Sequence, residues 1–305
     1  MTPFEKHGQL TVSGQKLTDR NGNEVILRGV STHGIAWHPE YVSLEAFRTL
    51  RDVWGCNCVR TAMYTHEYHG YCTDGDKKAL YGLICKAVNA AAELGMYIIV
   101  DWHVLGEKDP MIYADEAVRF FAQLSRKYAA CGNVLYEICN EPNGDTSWET
   151  IHRYADMVIP AIRQHAQKAV VLIGTPDWCQ QIDAPLDDPV ECSNIMYTLH
   201  FYADTHRDHI RRKAERALDG GLPVFVSEFN ITDAYGSGPV NYEEGEKWLE
   251  LINAHGLSAV CWSLSASKQS SSLIRDGCKK RSGWTVEELS DTGRWMYDNI
   301  FFQKG

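Results

Sequence analysis

Two glutamates occupy positions where chemistry is expected. Glu141 in YEICNEPNG follows an apolar run and precedes Pro142, and Glu228 in VFVSEFN closes another apolar run. A carboxyl flanked by Tyr136, Cys139 and Pro142 is poorly hydrated, and the proline forces the chain to turn there. Desolvation raises a carboxyl pKa, which suits a general acid near neutral pH. Each residue has a plainer explanation: a turn carboxylate for Glu141, a structural ion pair with a barrel arginine for Glu228. Two acids facing each other across a cleft outweigh those explanations, because paired carboxylates are the equipment of glycoside hydrolysis. Asn140, Trp102 and Phe229 surround them instead of further carboxylates, so no metal and no cofactor is expected. Arg60 and Tyr202 are candidate donors that keep Glu228 ionised. His103 and His200 are candidate donors to sugar hydroxyls, and Trp262 offers a flat apolar face to a pyranose ring.

These residues need a scaffold that brings distant segments together. Eight short β-branched runs are candidate strands: Val25–Val30, Cys58–Tyr64, Tyr97–Trp102, Val134–Cys139, Val170–Gly174, Ile195–Tyr202, Val224–Phe229 and Ala259–Leu264. Between them lie amphipathic stretches such as LEAFRTLRDVW, KKALYGLICKAVNAAAEL, ADEAVRFFAQLSRKYA and WETIHRYADMVIPAIRQHA, with apolar residues at helical spacing. The alternation predicts an α/β fold, a (β/α)8 TIM barrel, with a doubly wound open sheet as the alternative. Turn signals at Ser13-Gly14 and Asn21-Gly22 predict a β-hairpin before the first barrel strand. Polar and aromatic residues follow nearly every strand: His33, Arg60, Tyr64, Trp102, His103, Asn140, Glu141, His200, Tyr202, Glu228 and Trp262. In a barrel such positions converge at the C-terminal face, with the ends of strands four and seven on opposite sides of one mouth. With no repeat, linker or low-complexity tract, residues 1–305 are expected to form a single catalytic domain.

Composition narrows the function. The net charge of −10 with no basic cluster argues against nucleic acid and anionic membranes, whereas a neutral polysaccharide would not be repelled. No apolar run approaches the roughly 20 residues that span a bilayer, and the start, MTPFEKHGQL, lacks the features of a signal peptide. Ten scattered cysteines without C-x-x-C predict buried free thiols rather than a disulfide framework. Two further motifs lead nowhere at this level. His66-Glu67-Tyr68-His69 lacks the zincin spacing, and the sequon Asn230-Ile231-Thr232 lies beside the second glutamate, where a glycan would block the cleft.

The motifs LRGVSTHG, VRTAMYT, DWHVL, YEICNEPNG, YTLHFYADTH, VFVSEF and CWSLS together resemble glycoside hydrolase family 5, in particular its bacterial endo-β-1,4-glucanase branch, over nearly the whole chain. The resemblance implies Glu141 as acid/base and Glu228 as nucleophile of a retaining double displacement. It also implies that Asn140 bonds the sugar 2-hydroxyl and that Arg60, His103, His200, Tyr202 and Trp262 complete the site. His33, Trp37 and Tyr64 match residues lining the subsites toward the non-reducing end. The chain departs from many relatives at Phe229-Asn230, at Cys261 and at Ser267-Lys268-Gln269, where a Lys-x-Glu pattern is common. Lys268 and His33 are the candidate donors to glucose hydroxyls in the outer subsites. The expected enzyme is a secreted, monomeric cellulase acting on β-glucan. The alternatives are a mannanase, xyloglucanase or mixed-linkage glucanase of the same fold, or a catalytically silent carbohydrate-binding barrel.

Overall fold

The computed structural model describes residues 1–301. Its N-terminal segment contributes a short helix, Pro3–His7, and a hairpin of β1 (Thr11–Ser13) and β2 (Lys16–Thr18), paired antiparallel across Ser13↔Lys16. Eight parallel strands then close into a barrel: β3 (Arg28–Thr32), β4 (Cys58–Tyr64), β5 (Tyr97–His103), β6 (Val134–Glu137), β7 (Val171–Ile173), β8 (Ile195–Tyr202), β9 (Val224–Asn230) and β10 (Ala259–Leu264), with β10 returning to β3. The barrel reading is therefore correct and the open-sheet alternative is not.

The helices form where the periodicity places them. The helix Lys77–Leu94 starts at Asp76, whose side chain accepts from Lys78 and Ala79 backbone N–H groups, and stops at Gly95 in the left-handed conformation, φ 61°. A Cβ at Gly95 would also run into the Thr2 side chain. Leu44–Asp52 and Trp148–Arg163 are likewise capped by serines, Ser43 and Ser147.

Five of the eight barrel strands differ from the expected bounds, three of them (Tyr97–His103, Val171–Ile173 and Val224–Asn230) by a single residue at one or both ends, and two by more. The first barrel strand begins at Arg28 rather than Val25, because Val25 N–H pairs with Leu17 and Leu27 N–H with the Ser258 hydroxyl. The fourth ends at Glu137 rather than Cys139. Beyond it Ile138 N–H still bonds Leu172, but Asn140 N–H and Glu141 N–H turn to Trp102 and Val104, so the chain changes partner as it leaves the barrel.

The barrel interior has two levels. Its lower level is apolar: Leu27, Cys58, Tyr97, Ile99, Leu135, Leu172, Met196, Phe225 and Val260 pack together, and Leu10, Leu17 and Phe4 of the N-terminal segment close that end. Two residues further up the strands the inward side chains become polar: Arg60 after Cys58, Asp101 after Ile99, Glu137 after Leu135. Period-two alternation sends the intervening Trp102 outward to Phe120 and Phe121, and Phe201 outward to stack on Trp248 at 3.9 Å. The upper end is left open for a site.

Candidate active site

The polar level is built around Arg60, which is fully buried. Its Nε donates to Glu137 Oε2 at 2.6 Å, Nη1 to Glu228 Oε2 at 3.0 Å, and Nη2 to Asn140 Oδ1 at 2.6 Å, with Asp101 Oδ2 3.0 Å from Nη2. One guanidinium thus faces three carboxyls. Burial drives the Asp101 carboxyl well above the ordinary range, and its Oδ1 has no hydrogen-bond partner. Glu137 goes the other way. Burial acts to raise it, but the Arg60 charge, the nearby His200 ring at 3.7 Å and the Arg60 hydrogen bond outweigh that and hold it at about 2. The Ser227 hydroxyl adds a bond to Glu137 Oε1 at 2.6 Å.

A shift of register aims the second glutamate. Thr198 lies opposite Phe225 but His200 lies opposite Glu228, so β9 holds one extra residue. The bulge lets the consecutive residues Ser227 and Glu228 both reach inward contacts. Glu228 then takes the Tyr202 hydroxyl on Oε1 at 2.8 Å and Arg60 on Oε2, the two donors expected of them. Burial and the nearby Glu228 charge keep the Tyr202 phenol well above its usual pKa, so it remains a donor.

Glu141 is aimed by its loop. Asn143 Nδ2 donates to the Glu141 and Leu105 carbonyls at 2.9 and 2.8 Å, and the Cys179 thiol to the Asn140 carbonyl at 2.9 Å. Gly174 lies so close beneath that a Cβ there would come within 2.9 Å of Pro142 Cδ and 3.0 Å of the Asn140 carbonyl oxygen. The expectation of a dry carboxyl without a cation needs correction: the side chain keeps 12% exposure, and Oε1 lies 2.9 Å from His200 Nδ1. Burial would lower His200, but the Glu137 carboxylate 3.7 Å from Nε2, the hydrogen bond with Glu141 and the negative charges of Glu141 and Glu228 raise it to about 9.

One carboxylate oxygen each from Glu141 and Glu228 and one ring nitrogen of His200 lie within 4.8 Å of one another. That distance would also admit a cation, yet these groups already satisfy each other: His200 meets Glu141, and Arg60 and Tyr202 meet Glu228. Both glutamates line a cleft of about 680 Å³ together with His33, Trp37, Tyr64, His103, His200, Tyr202 and Trp262.

The ring nitrogens of both strand-end histidines already have protein partners. His200 spends its ring nitrogens on Glu141 and, at 2.8 Å, on Ser227. His103 spends Nδ1 on Asp101 at 2.5 Å and Nε2 on Asn140 Nδ2 at 3.3 Å, and burial beside Arg60 lowers it to about 3. Its ring stacks with Trp262, 5.4 Å between centroids, and backs the platform. Asn140 is fully buried, held by Arg60, His103 and the Val104 carbonyl. His33 is neutral, lowered to about 4 by burial and by the charges of His38 and His103; its Nδ1 accepts from Gly34 N–H at 2.8 Å. Trp37 is fixed by its indole N–H to the Tyr68 carbonyl and packs on Tyr64, 4.4 Å between centroids. Lys268 is exposed and off the cleft wall, whereas its neighbour Gln269 lines it.

Sequence reasoning missed Asp101, Glu137 and Ser227, although ionisable residues inside apolar strands were a usable signal. It also missed Glu67, Asp177, Trp178, Gln180, His206, Ala234 and Tyr235 on the cleft wall, which loops and the short helical turn Pro176–Cys179 supply. The sequon asparagine, Asn230, is fully buried, its amide bonded to the Trp262 and Ser271 carbonyls.

A closed parallel barrel with two facing carboxyls and an aromatic-lined cleft at its C-terminal end defines the glycoside hydrolase class of enzyme. The chain belongs to glycosyl hydrolase family 5, the cellulase family, whose profile matches residues 18–268. It is similar to endoglucanase A of Butyrivibrio fibrisolvens, 47% identical over 96% of this chain, and to an endoglucanase of Clostridium saccharobutylicum, 38% identical over 96%. It spans 69% and 65% of those relatives' own lengths. Among solved structures, the cellulase Cel5C_n superposes with a TM-score of 0.96 at 37% identity, covering 99% of this chain and 95% of that one. The catalytic domain of Thermobifida fusca endoglucanase Cel5A superposes with a TM-score of 0.93 at 34% identity, covering 98% and 99%.

Proposed function

We propose that this chain is a retaining endo-β-1,4-glucanase, one catalytic unit acting on cellulose and related β-glucans. The observation that carries the reading is the approach of the Glu141 and Glu228 carboxyls within 4.8 Å. Retaining enzymes hold their carboxyls about 5–5.5 Å apart, whereas inverting ones leave roughly 6.5–9.5 Å for a water. The endoglucanase names of the relatives support the substrate class.

Glu228, held by Arg60 and Tyr202, attacks the anomeric carbon while Glu141 gives its proton to the departing glycosidic oxygen. This leaves a glycosyl ester on Glu228. Glu141, now a carboxylate, takes a proton from water, whose oxygen attacks the same carbon and frees Glu228. Trp262 and Trp37 provide flat faces for all-equatorial glucose rings, and the neutral His33 is a candidate donor in the adjacent subsite. An insoluble polymer cannot enter a cell, so the reading has the enzyme secreted, working as a monomer. The net charge of −10 does not repel a neutral polymer.

Reducing-sugar release from a panel of soluble β-glucans and β-mannans tests the assignment. Carboxymethylcellulose and mixed-linkage glucan are cut faster than mannan at equal concentration. Faster cleavage of mannan would overturn the glucan reading.

A further inference from the structure

We propose that Glu137 and Ser227 are positioning residues that keep His200 doubly protonated, so that its Nδ1–H occupies Oε1 of Glu141 and leaves Oε2 as the single oxygen on which the acid/base proton comes and goes. The inference rests on the reading of Glu141 as the acid/base.

Hydrogen-bond direction carries the argument. Arg60 Nε can only donate, so Glu137 Oε2, 2.6 Å away, accepts, and the carboxylate is fixed. Glu137 Oε1 also accepts, from the Ser227 hydroxyl at 2.6 Å, so the serine proton points at Glu137. The Ser227 oxygen therefore turns a lone pair toward His200 Nε2 at 2.8 Å, and that nitrogen must carry a hydrogen. Nδ1 faces Glu141 Oε1 at 2.9 Å. A neutral ring protonated on Nε2 would set a lone pair against that oxygen. It would repel the carboxylate or trap the acid proton between His200 and Glu141. Only the doubly protonated ring donates at both ends.

The surroundings favour that charge. Glu137, Glu141, Glu228 and Asp101 are the acids whose charge His200 senses or affects, and Glu137 is held ionised by Arg60. His206, which senses the His200 charge, is lowered to about 4 by burial and by the charges of His209 and His200. A fully buried imidazolium between two glutamates is thus sustained from below by the Arg60–Glu137 pair.

The substitution Glu137→Gln reverses the chain without changing its shape. Arg60 still requires an oxygen at the Oε2 position, so the amide NH2 faces Ser227 and donates. The hydroxyl then donates to His200 Nε2, and the ring becomes neutral with its hydrogen on Nδ1. Nitrogen-15 NMR of the His200 ring reads this directly. At pH 7 the unmodified protein shows both nitrogens protonated and Glu137→Gln only Nδ1. In parallel, the alkaline limb of kcat/KM on cellotetraose moves up by about one pH unit, because a carboxylate is harder to form once its adjacent cation is lost. Ser227→Ala, which removes the acceptor of Nε2–H, shifts the limb the same way, and Ser227→Thr restores it. This pair keeps the test open if Glu137→Gln does not fold.

A His200 singly protonated at pH 7 in the unmodified protein overturns the proposal, as does a ring state unchanged in both Glu137→Gln and Ser227→Ala. A ring that switches while the alkaline limb stays put overturns its link to catalysis. Glu141→Ala, assayed alongside on aryl cellobiosides with good and poor leaving groups, then tells whether the acid/base reading itself failed. That variant spares kcat/KM for good leaving groups only if Glu141 is the acid.

Discussion

The Tyr202 hydroxyl donates to Oε1 of Glu228 at 2.8 Å while Arg60 holds the other oxygen, so the carboxylate's orientation is set by two different strands. Tyr202→Phe removes one donor to a charged group. A hydrogen bond to a charge contributes about 1.5–3 kcal/mol, so kcat is expected to fall by roughly ten- to a hundredfold with little change in KM. Steady-state kinetics on carboxymethylcellulose check this. A rise in KM at unchanged kcat would place Tyr202 on the substrate instead of on Glu228.

Arg60 neutralises a buried cluster of acids, and breaking a buried ion pair by removing one partner costs about 3–5 kcal/mol. Arg60→Met is therefore expected to destabilise the fold by an amount in that range, read from denaturant midpoints. Arg60→Met with Glu137→Gln in the same chain should lose less than the two single losses combined, because the groups share one network. Simple additivity would contradict the network.

Stability should depend on pH: the histidines and Glu137 together favour the fold most near pH 6.5, while Asp101, raised by burial, opposes them with a loss as pH climbs above the ordinary aspartate value. His33, His103 and His206 have folded pKa values depressed to about 4, 3 and 4. Their contribution is present above the ordinary histidine value and is lost as pH falls toward those values. Glu137, depressed to about 2, adds a further loss as pH falls below the ordinary glutamate value. His200 is raised to about 9, so its contribution is full below about 6.5 and is lost as pH rises through 9. Urea denaturation from pH 4 to pH 10 checks both limbs; a flat profile would contradict the assigned shifts.

All ten cysteines are free; six are buried and four partly exposed. Burial pushes the thiols of Cys56, Cys58, Cys139, Cys179 and Cys261 well above their ordinary pKa. Activity should be indifferent to dithiothreitol, and in the native enzyme a thiol reagent should reach at most Cys72, Cys131, Cys192 and Cys278. Loss of activity in reductant would contradict this.

The parts legible in the sequence are those with a short-range signature. Strand–helix alternation gave the barrel, and three strands, Cys58–Tyr64, Ile195–Tyr202 and Ala259–Leu264, match residue for residue. The glutamates, Arg60 and Tyr202 could be paired because each ends or lines a strand whose neighbours are apolar. The protein partners of His103 and His200 were not legible because most of them come from other segments: Asp101 and Asn140 for one, Ser227 and Glu141 for the other. The bulge at Ser227–Glu228 has no local signal, since it exists only relative to β8. The cleft wall at Trp178 and Tyr235, 41% and 86% exposed, lies on a four-residue helical turn and a loop, both too short to carry a period.

The central claim is that Glu141 and Glu228 work as a retaining pair, and the stereochemistry of the first product tests it most directly. Proton NMR of cello-oligosaccharide hydrolysis, recorded before mutarotation, should show the β-anomer appearing first and the α-anomer only as the mixture equilibrates. Substitution of Glu228 by Gln should abolish that signal together with nearly all turnover. An initial α-anomer would mean inversion and would contradict the nucleophilic role given to Glu228.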